Sequence, residues 1–175
     1  MMLQLVGLWE SVQDFIHTGG NVLYVVALVL FVMWVLMIER FWFLKAEYPK
    51  LKKDIVARWD ARADTTSWYA HKIRERWISE ASEKLEQRML IIKTLVALCP
   101  LVGLLGTVTG MIAVFDIMAT QGTGNPRTMA TGISMATIPT MSGLVAAISG
   151  VFFSARLDVK VKREKASLAD SLPHH

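Results

Sequence analysis

The sequence predicts an all-α membrane protein: three transmembrane helices with the N-terminus out and the C-terminus in, the second and third extended into the cytoplasm, assembled as a helical oligomer. Three observations carry that expectation. The chain of 175 residues is 53% hydrophobic with a mean hydropathy of +0.40, more apolar sequence than a soluble domain of this size holds. Its apolar residues fall in long blocks. Val22 to Ile38 is a run of seventeen, Asp116 is the only charge between Lys93 and Arg127, and no charge lies between Thr128 and Ser154; a helix needs about 20 residues to cross a bilayer core. The cations are equally uneven, since thirteen of the nineteen Lys and Arg residues lie from Arg40 to Lys93 and five from Arg156 to Lys165. By the positive-inside rule both segments are cytoplasmic, and the turn that holds the remaining one, Arg127, is periplasmic or external.

The same features exclude other classes. The net charge of +4 follows the topology, so no nucleic-acid partner is expected. Cys99 is the single cysteine and lies inside an apolar block, which leaves neither a disulfide framework nor a cysteine metal site within the chain.

In chain order, residues 1–20 are a periplasmic helix. No Lys or Arg precedes Arg40 and no small-residue cleavage pattern follows, so the segment lacks the marks of a secretory signal and is expected to be retained. Leu5, Leu8, Trp9, Val12, Phe15 and Ile16 recur at helical spacing opposite Gln4, Ser11, Gln13 and Asp14, which fits a helix lying in the interface and equally an ordinary packed helix. Gly19-Gly20 is expected to break it. Residues 21–44 are the first transmembrane helix, bulky, nearly free of small residues and ended by Phe41, Trp42 and Phe43; it belongs on the lipid-facing periphery. Residues 45–89 are a cytoplasmic segment in which Pro49 and Asp60 to Ser67 read as breaks. Trp68 to Leu98 has no Pro or Gly, so the second membrane helix is expected to run on into the cytosol, with Arg76, Glu80 and Lys84 pairing at i, i+4. Residues 90–119 are the second transmembrane helix, 120–127 a periplasmic turn, 128–155 the third transmembrane helix, and 156–175 a cytoplasmic tail whose helix continues to Leu168.

The second and third helices are small and polar as well as apolar. Gly103, Gly106 and Gly110 stand at i, i+3 and i+7, and Gly132, Gly143 and Gly150 with Ser134, Ser142 and Ser149 crowd the partner helix. Such residues let backbones approach closely, and they occupy more faces than one hairpin covers, which predicts a homo-oligomer. Thr107 lies 14 residues beyond Lys93 and Thr140 lies 16 before Arg156, so both sit about 21 to 24 Å from the same side at about 1.5 Å per residue. Hydroxyls in membrane helices commonly bond back to the i−4 carbonyl or bridge helices, and spacing alone favours packing over a pathway. Pro139 and Pro100 shift the balance, because they free the carbonyls of Met135 and Val96 at membrane depth. Asp116 lies about 13 Å further out than Thr107. An ionisable group inside a membrane segment is a functional candidate; a carboxylate at the outer boundary is at most a pore-mouth residue. No enzyme motif is present. The Gly103–Gly110 run lacks the Gly-Lys-Ser/Thr ending of a phosphate loop, no His, Cys or acidic cluster has metal spacing, and no cofactor is implied.

Leu104-Leu-Gly-Thr-Val-Thr-Gly110 and Gly143-Leu-Val-Ala-Ala-Ile148, with Glu39-Arg40-Phe-Trp closing the first span, resemble the MotA/TolQ/ExbB proton-channel family over essentially the whole length. The compact size and Ala136-Thr-Ile-Pro-Thr-Met141 are similar to the short ExbB of alternative TonB systems. The resemblance implies five chains in the bacterial inner membrane around a pore that holds two helices of ExbD, a single-span protein whose aspartate carries protons. It further implies that the motor works on TonB to energise outer-membrane import of siderophore-bound iron, haem or cobalamin. Thr107, in the family's Gly-Leu-Leu-Gly-Thr motif, and Thr140, three residues before Gly-Leu-Val-Ala-Ala, are implied to line the pore. One position departs from the family: Met135 stands where many members have glutamate, so a conduction role for that glutamate does not transfer. A TolQ-like subunit of an envelope motor is the alternative within the family, a four-span MotA-like stator fits less well, and a passive assembly scaffold is the alternative outside it.

Overall fold

The computed structural model of the chain describes residues 2–121 and 126–173, with side chains from Asn21 onward except Gln121 and Thr128. Residues 122–125 of the expected turn at 120–127, the side chains of residues 1–20 and the two final histidines lie outside the described residues. The described elements are all helical: α1 (Met2–Trp42), a π-helical turn (Phe43–Glu47), α2 (Tyr48–Asp60), α3 (Trp68–Glu86), α4 (Met89–Gln121) and α5 (Pro126–Asp170). Three stretches, Asn21–Asp60, Trp68–Thr120 and Met129–Asp170, are long and apolar enough to cross a membrane, as the hydropathy pattern predicts.

Three expected helix boundaries are corrected. Gly19 and Gly20 do not break α1, which runs through them; two glycines cost about 2 kcal/mol relative to alanine, which the apolar helix that follows can offset because its backbone must pair internally in a bilayer. Pro49 does not end the helix either. It falls in the first turn of α2, where a missing N–H is tolerated, and the preceding turn widens so that the Tyr48 N–H donates to the Phe43 carbonyl. The third correction concerns Trp68 to Leu98, which is two helices. α3 closes at Glu86, Arg88 takes a left-handed conformation with φ 65°, and α4 starts at Met89. No Gly or Pro marks this junction. An ion pair between Arg88 and Glu39 at 2.7 Å accompanies it, a contact across the fold that helical periodicity cannot reveal.

The chain forms two compact units, residues 1–33 with 94–151 and residues 34–93 with 152–175. In the second, Trp59, Ala70, Ala81, Leu168 and Leu172 make a core against which Ile55, Val56, Trp77 and Ile78 pack, so α2, α3 and the end of α5 converge. Ser67 caps α3 by accepting from the Ala70 N–H at 3.2 Å. The Ser67 hydroxyl, which donates to Asp64, and the Ser67 and Thr66 N–H groups at 3.0 and 3.2 Å hold the Asp64 carboxyl below the usual range. The last turn of α5 is fastened to this core. Arg74 donates to the carbonyls of Leu172 and Ala169 at 2.6 and 2.8 Å, and the Trp59 indole N–H to that of Pro173 at 3.2 Å. Tyr48 donates to the Glu164 carbonyl at 3.2 Å, and its burial pushes the phenol up to about 12. Arg40 is buried at the start of this unit and donates to the Lys84 carbonyl at 3.0 Å.

Candidate functional site: the α4–α5 hairpin

Within the first unit α4 and α5 pack antiparallel through their glycines. A Cβ at Gly143 would stand 2.5 Å from the Cys99 carbonyl oxygen, and one at Gly103 would stand 2.9 Å from that of Pro139 and 3.0 Å from the Thr140 Cα. Further along, Gly106 lies against the Pro139 ring, a Cβ at Gly110 would stand 2.6 Å from that of Ala136, and Gly132 faces Val114. The helices therefore touch backbone to backbone around Gly103 and Gly143, the geometry that small residues permit. Pro139 is fully buried in this contact and α5 runs through it. At Gly150 the neighbours are side chains, Met33 from α1 and Val96 from α4, each 2.7 Å from a built Cβ.

The two threonines differ in their bonding. The Thr140 hydroxyl crosses the interface and donates to the Gly103 carbonyl at 2.8 Å. The Thr107 hydroxyl turns back to the Leu104 carbonyl of its own helix at 2.7 Å. Thr107 is half-buried and stands one residue beyond Gly106, which packs on Pro139, the neighbour of Thr140. The pair is thus near one level of the hairpin, as the depth estimate predicts, but the two hydroxyls do not bond each other. Each uses its proton inside the hairpin and keeps lone pairs to accept from an outside group.

Asp116 is exposed on α4, and its backbone carbonyl accepts from Thr120 at 2.9 Å. Met135 is 39% exposed on α5. Leu101, Leu105, Ile112 and Phe115 on α4 and Val145 and Ile148 on α5 are exposed as well, faces suited to lipid or to other helices. Among the described residues no group of three or more His, Cys, Asp or Glu could hold a metal ion.

The sequence reading missed two members of this hairpin. Ala136 is the small partner that Gly110 requires, a match visible only once the antiparallel register is known. Thr137, exposed one turn from Thr140, donates to the Ser134 carbonyl at 2.8 Å and adds a hydroxyl to the uncovered side of α5. Its signal was present as a third polar residue within seven positions of Ser134.

Three membrane-length helices, two of them packed on each other through glycine and carrying hydroxyls instead of charges along the contact, define a polytopic helical membrane protein. The chain belongs to the MotA/TolQ/ExbB proton channel family, whose model matches residues 44–170. It is 31% identical over 97 residues to biopolymer transport protein exbB1 of Vibrio cholerae, across 55% of this chain and 42% of the relative. Over 87 residues it is 36% identical to biopolymer transport protein ExbB of Aquifex aeolicus, across 50% of this chain and 58% of the relative. To the Tol-Pal system protein TolQ of Pseudomonas aeruginosa it is 40% identical over 90 residues, across 49% and 39%. The chain spans about half the length of the curated relatives it matches.

Proposed function

We propose that the chain is an ExbB-like subunit of a proton-driven motor in the bacterial inner membrane, working with an ExbD-like single-span protein and a TonB-like protein to energise outer-membrane nutrient import. The family match supports the motor class, and the α4–α5 hairpin is the observation that carries the role of these residues. Five hairpins around an axis would bring Thr107 and Thr140 into a belt of hydroxyls within an apolar bore. Such a belt accepts and donates hydrogen bonds without the cost of a buried unpaired charge. A partner's aspartate facing it would be held when protonated and displaced when ionised, since a charge at the bilayer centre costs at least about 2.5 kcal/mol. With Met135 in place of a carboxylate, the titrating group at the centre comes from the partner. Asp116 then stands near the outer mouth.

The proposed topology has α1 entering from the periplasm, the 45–89 segment and the end of α5 in the cytoplasm, and the 120–127 turn outside, as the cation distribution supports. Cysteines placed at Gln13 and Arg58 should label from opposite sides of the membrane. The 40% identity to a TolQ supports a second reading, an envelope motor with TolR-like and TolA-like partners. Expressing the full chain in a strain without its own motors, with either partner set, separates the two. Restored siderophore-iron uptake with the ExbD and TonB set alone supports the first reading; restored envelope integrity with the Tol set alone overturns it in favour of the second.

A further inference from the structure

In the second unit, α5 carries Arg156, Lys160 and Arg163 at i, i+4 and i+7, a spacing that puts them on one helix face. The first two are held by aromatic rings instead of acids: the Arg156 guanidinium carbon stands 4.7 Å from the Phe152 ring centroid, and the Lys160 ammonium 5.0 Å from that of Phe41. Their neighbours are neutralised differently. Lys93 and Lys162 both pair with Asp158, Lys165 with Glu86 and Arg88 with Glu39, whereas among the described residues Arg156, Lys160 and Arg163 have no carboxylate within ion-pair distance. A cation over a ring is positioned without losing its charge or its outward donors. Phe41 is 54% exposed and Trp42 beside it 73%. These rings close the apolar part of α1, and Phe152 belongs to the uncharged stretch of α5 that ends at Ser154, so the patch lies where apolar helix gives way to charge.

We propose that this patch is a binding site for the headgroup of an anionic phospholipid. Arginine presents paired N–H donors that fit a phosphate bidentately, Lys160 adds a second cation one turn away, and Phe41, Trp42 and Phe152 offer apolar and ring surface at the height of the upper acyl chain, as interfacial aromatics do. A net negative headgroup matches a face of three unneutralised cations better than a zwitterion, whose own ammonium opposes them.

The test uses the purified full chain in vesicles, with tryptophan fluorescence quenched by brominated phosphatidylglycerol or by brominated phosphatidylcholine. Trp42 is the reporter, and Trp42→Phe should remove most of the difference between the lipids. The anionic lipid is expected to quench at the lower mole fraction, and Lys160→Gln to cut that preference about fivefold, the equivalent of about 1 kcal/mol per juxtamembrane cation. The variant R156Q/K160Q/R163Q should abolish the preference while K50Q/K53Q, which changes exposed lysines further along the chain, leaves it intact. Equal quenching by the two lipids in the unaltered chain, or a preference that survives the triple substitution, overturns the site. If the triple variant loses helical circular dichroism, Lys160→Gln alone decides.

Discussion

The hydroxyl of Thr140 on α5 and the carbonyl of Gly103 on α4 are joined by a 2.8 Å hydrogen bond across a contact with almost no side chain in it. Thr140→Val should therefore weaken the hairpin by about 0.6 kcal/mol and at most about 1.7, the range for interhelical hydrogen bonds in membranes. Thr107→Val should leave stability unchanged, since that hydroxyl bonds within its own helix. Under the proposed motor both variants assemble and both strongly reduce partner-dependent uptake, whereas Met135→Ala is mild. Thermal unfolding in detergent and an uptake assay on the same strains separate the structural from the transport effect; full uptake in the double valine variant would sink the hydroxyl belt.

Glycine positions on the hairpin should not respond alike. Gly143→Ala drives a methyl into the Cys99 backbone and is expected to cost about 1 to 3 kcal/mol, as overpacking does. Gly150→Ala meets side chains instead of backbone: the flexible Met33 can give, but the β-branched Val96 methyl cannot swing aside, so the cost should be smaller than at Gly143 without vanishing. Paired melting curves check the order, and equal losses would contradict it.

Arg74 reaches 95 and 98 residues along the chain to bind the carbonyls that close α5. Removing it with Arg74→Ala should cost about 1.5 to 3 kcal/mol, the value of hydrogen bonds to a charged group. Amide exchange should accelerate from Ser167 to Leu172 and leave α4 unchanged. Uniform protection in the variant would mean that the aromatic core holds this end alone.

Asp158 accepts from Lys93 at 2.7 Å and lies 3.2 Å from Lys162, and these hydrogen bonds hold its carboxyl below the usual range. A carboxylate depressed in the fold contributes stability above its ordinary value near 3.9 and loses it as pH falls through the lower, folded value. The second unit should thus lose up to about 1 kcal/mol from this pair on acidification. Asp158→Asn should flatten that part of the acid limb while leaving the curve near neutrality lower by a similar amount.

Hydropathy and cation placement made the three apolar helices legible because each depends on local composition alone. The Gly103, Gly106 and Gly110 spacing was legible for the same reason: i, i+3 and i+7 fall on one face whatever they meet. What they meet was not. Pairing Gly110 with Ala136 or Thr140 with Gly103 requires the antiparallel register, and Arg74 at the end of α5 is a contact between distant segments with no local mark. The Arg88 junction escaped because a left-handed residue is usually sought at Gly or Asn, and the continuation of α1 through two glycines escaped because propensity is a weak prior beside a long apolar helix.

Where Gly103 meets Gly143, neither α4 nor α5 can roll on its own axis, since a turn of one residue, about 100°, would carry Leu104 or Leu144 into a gap that does not admit even a methyl group. The hairpin is in this sense a single stave. In the proposed oligomer the compliant places would be the joints between such staves, so a shape change there would be staves shifting against one another, each keeping its own form.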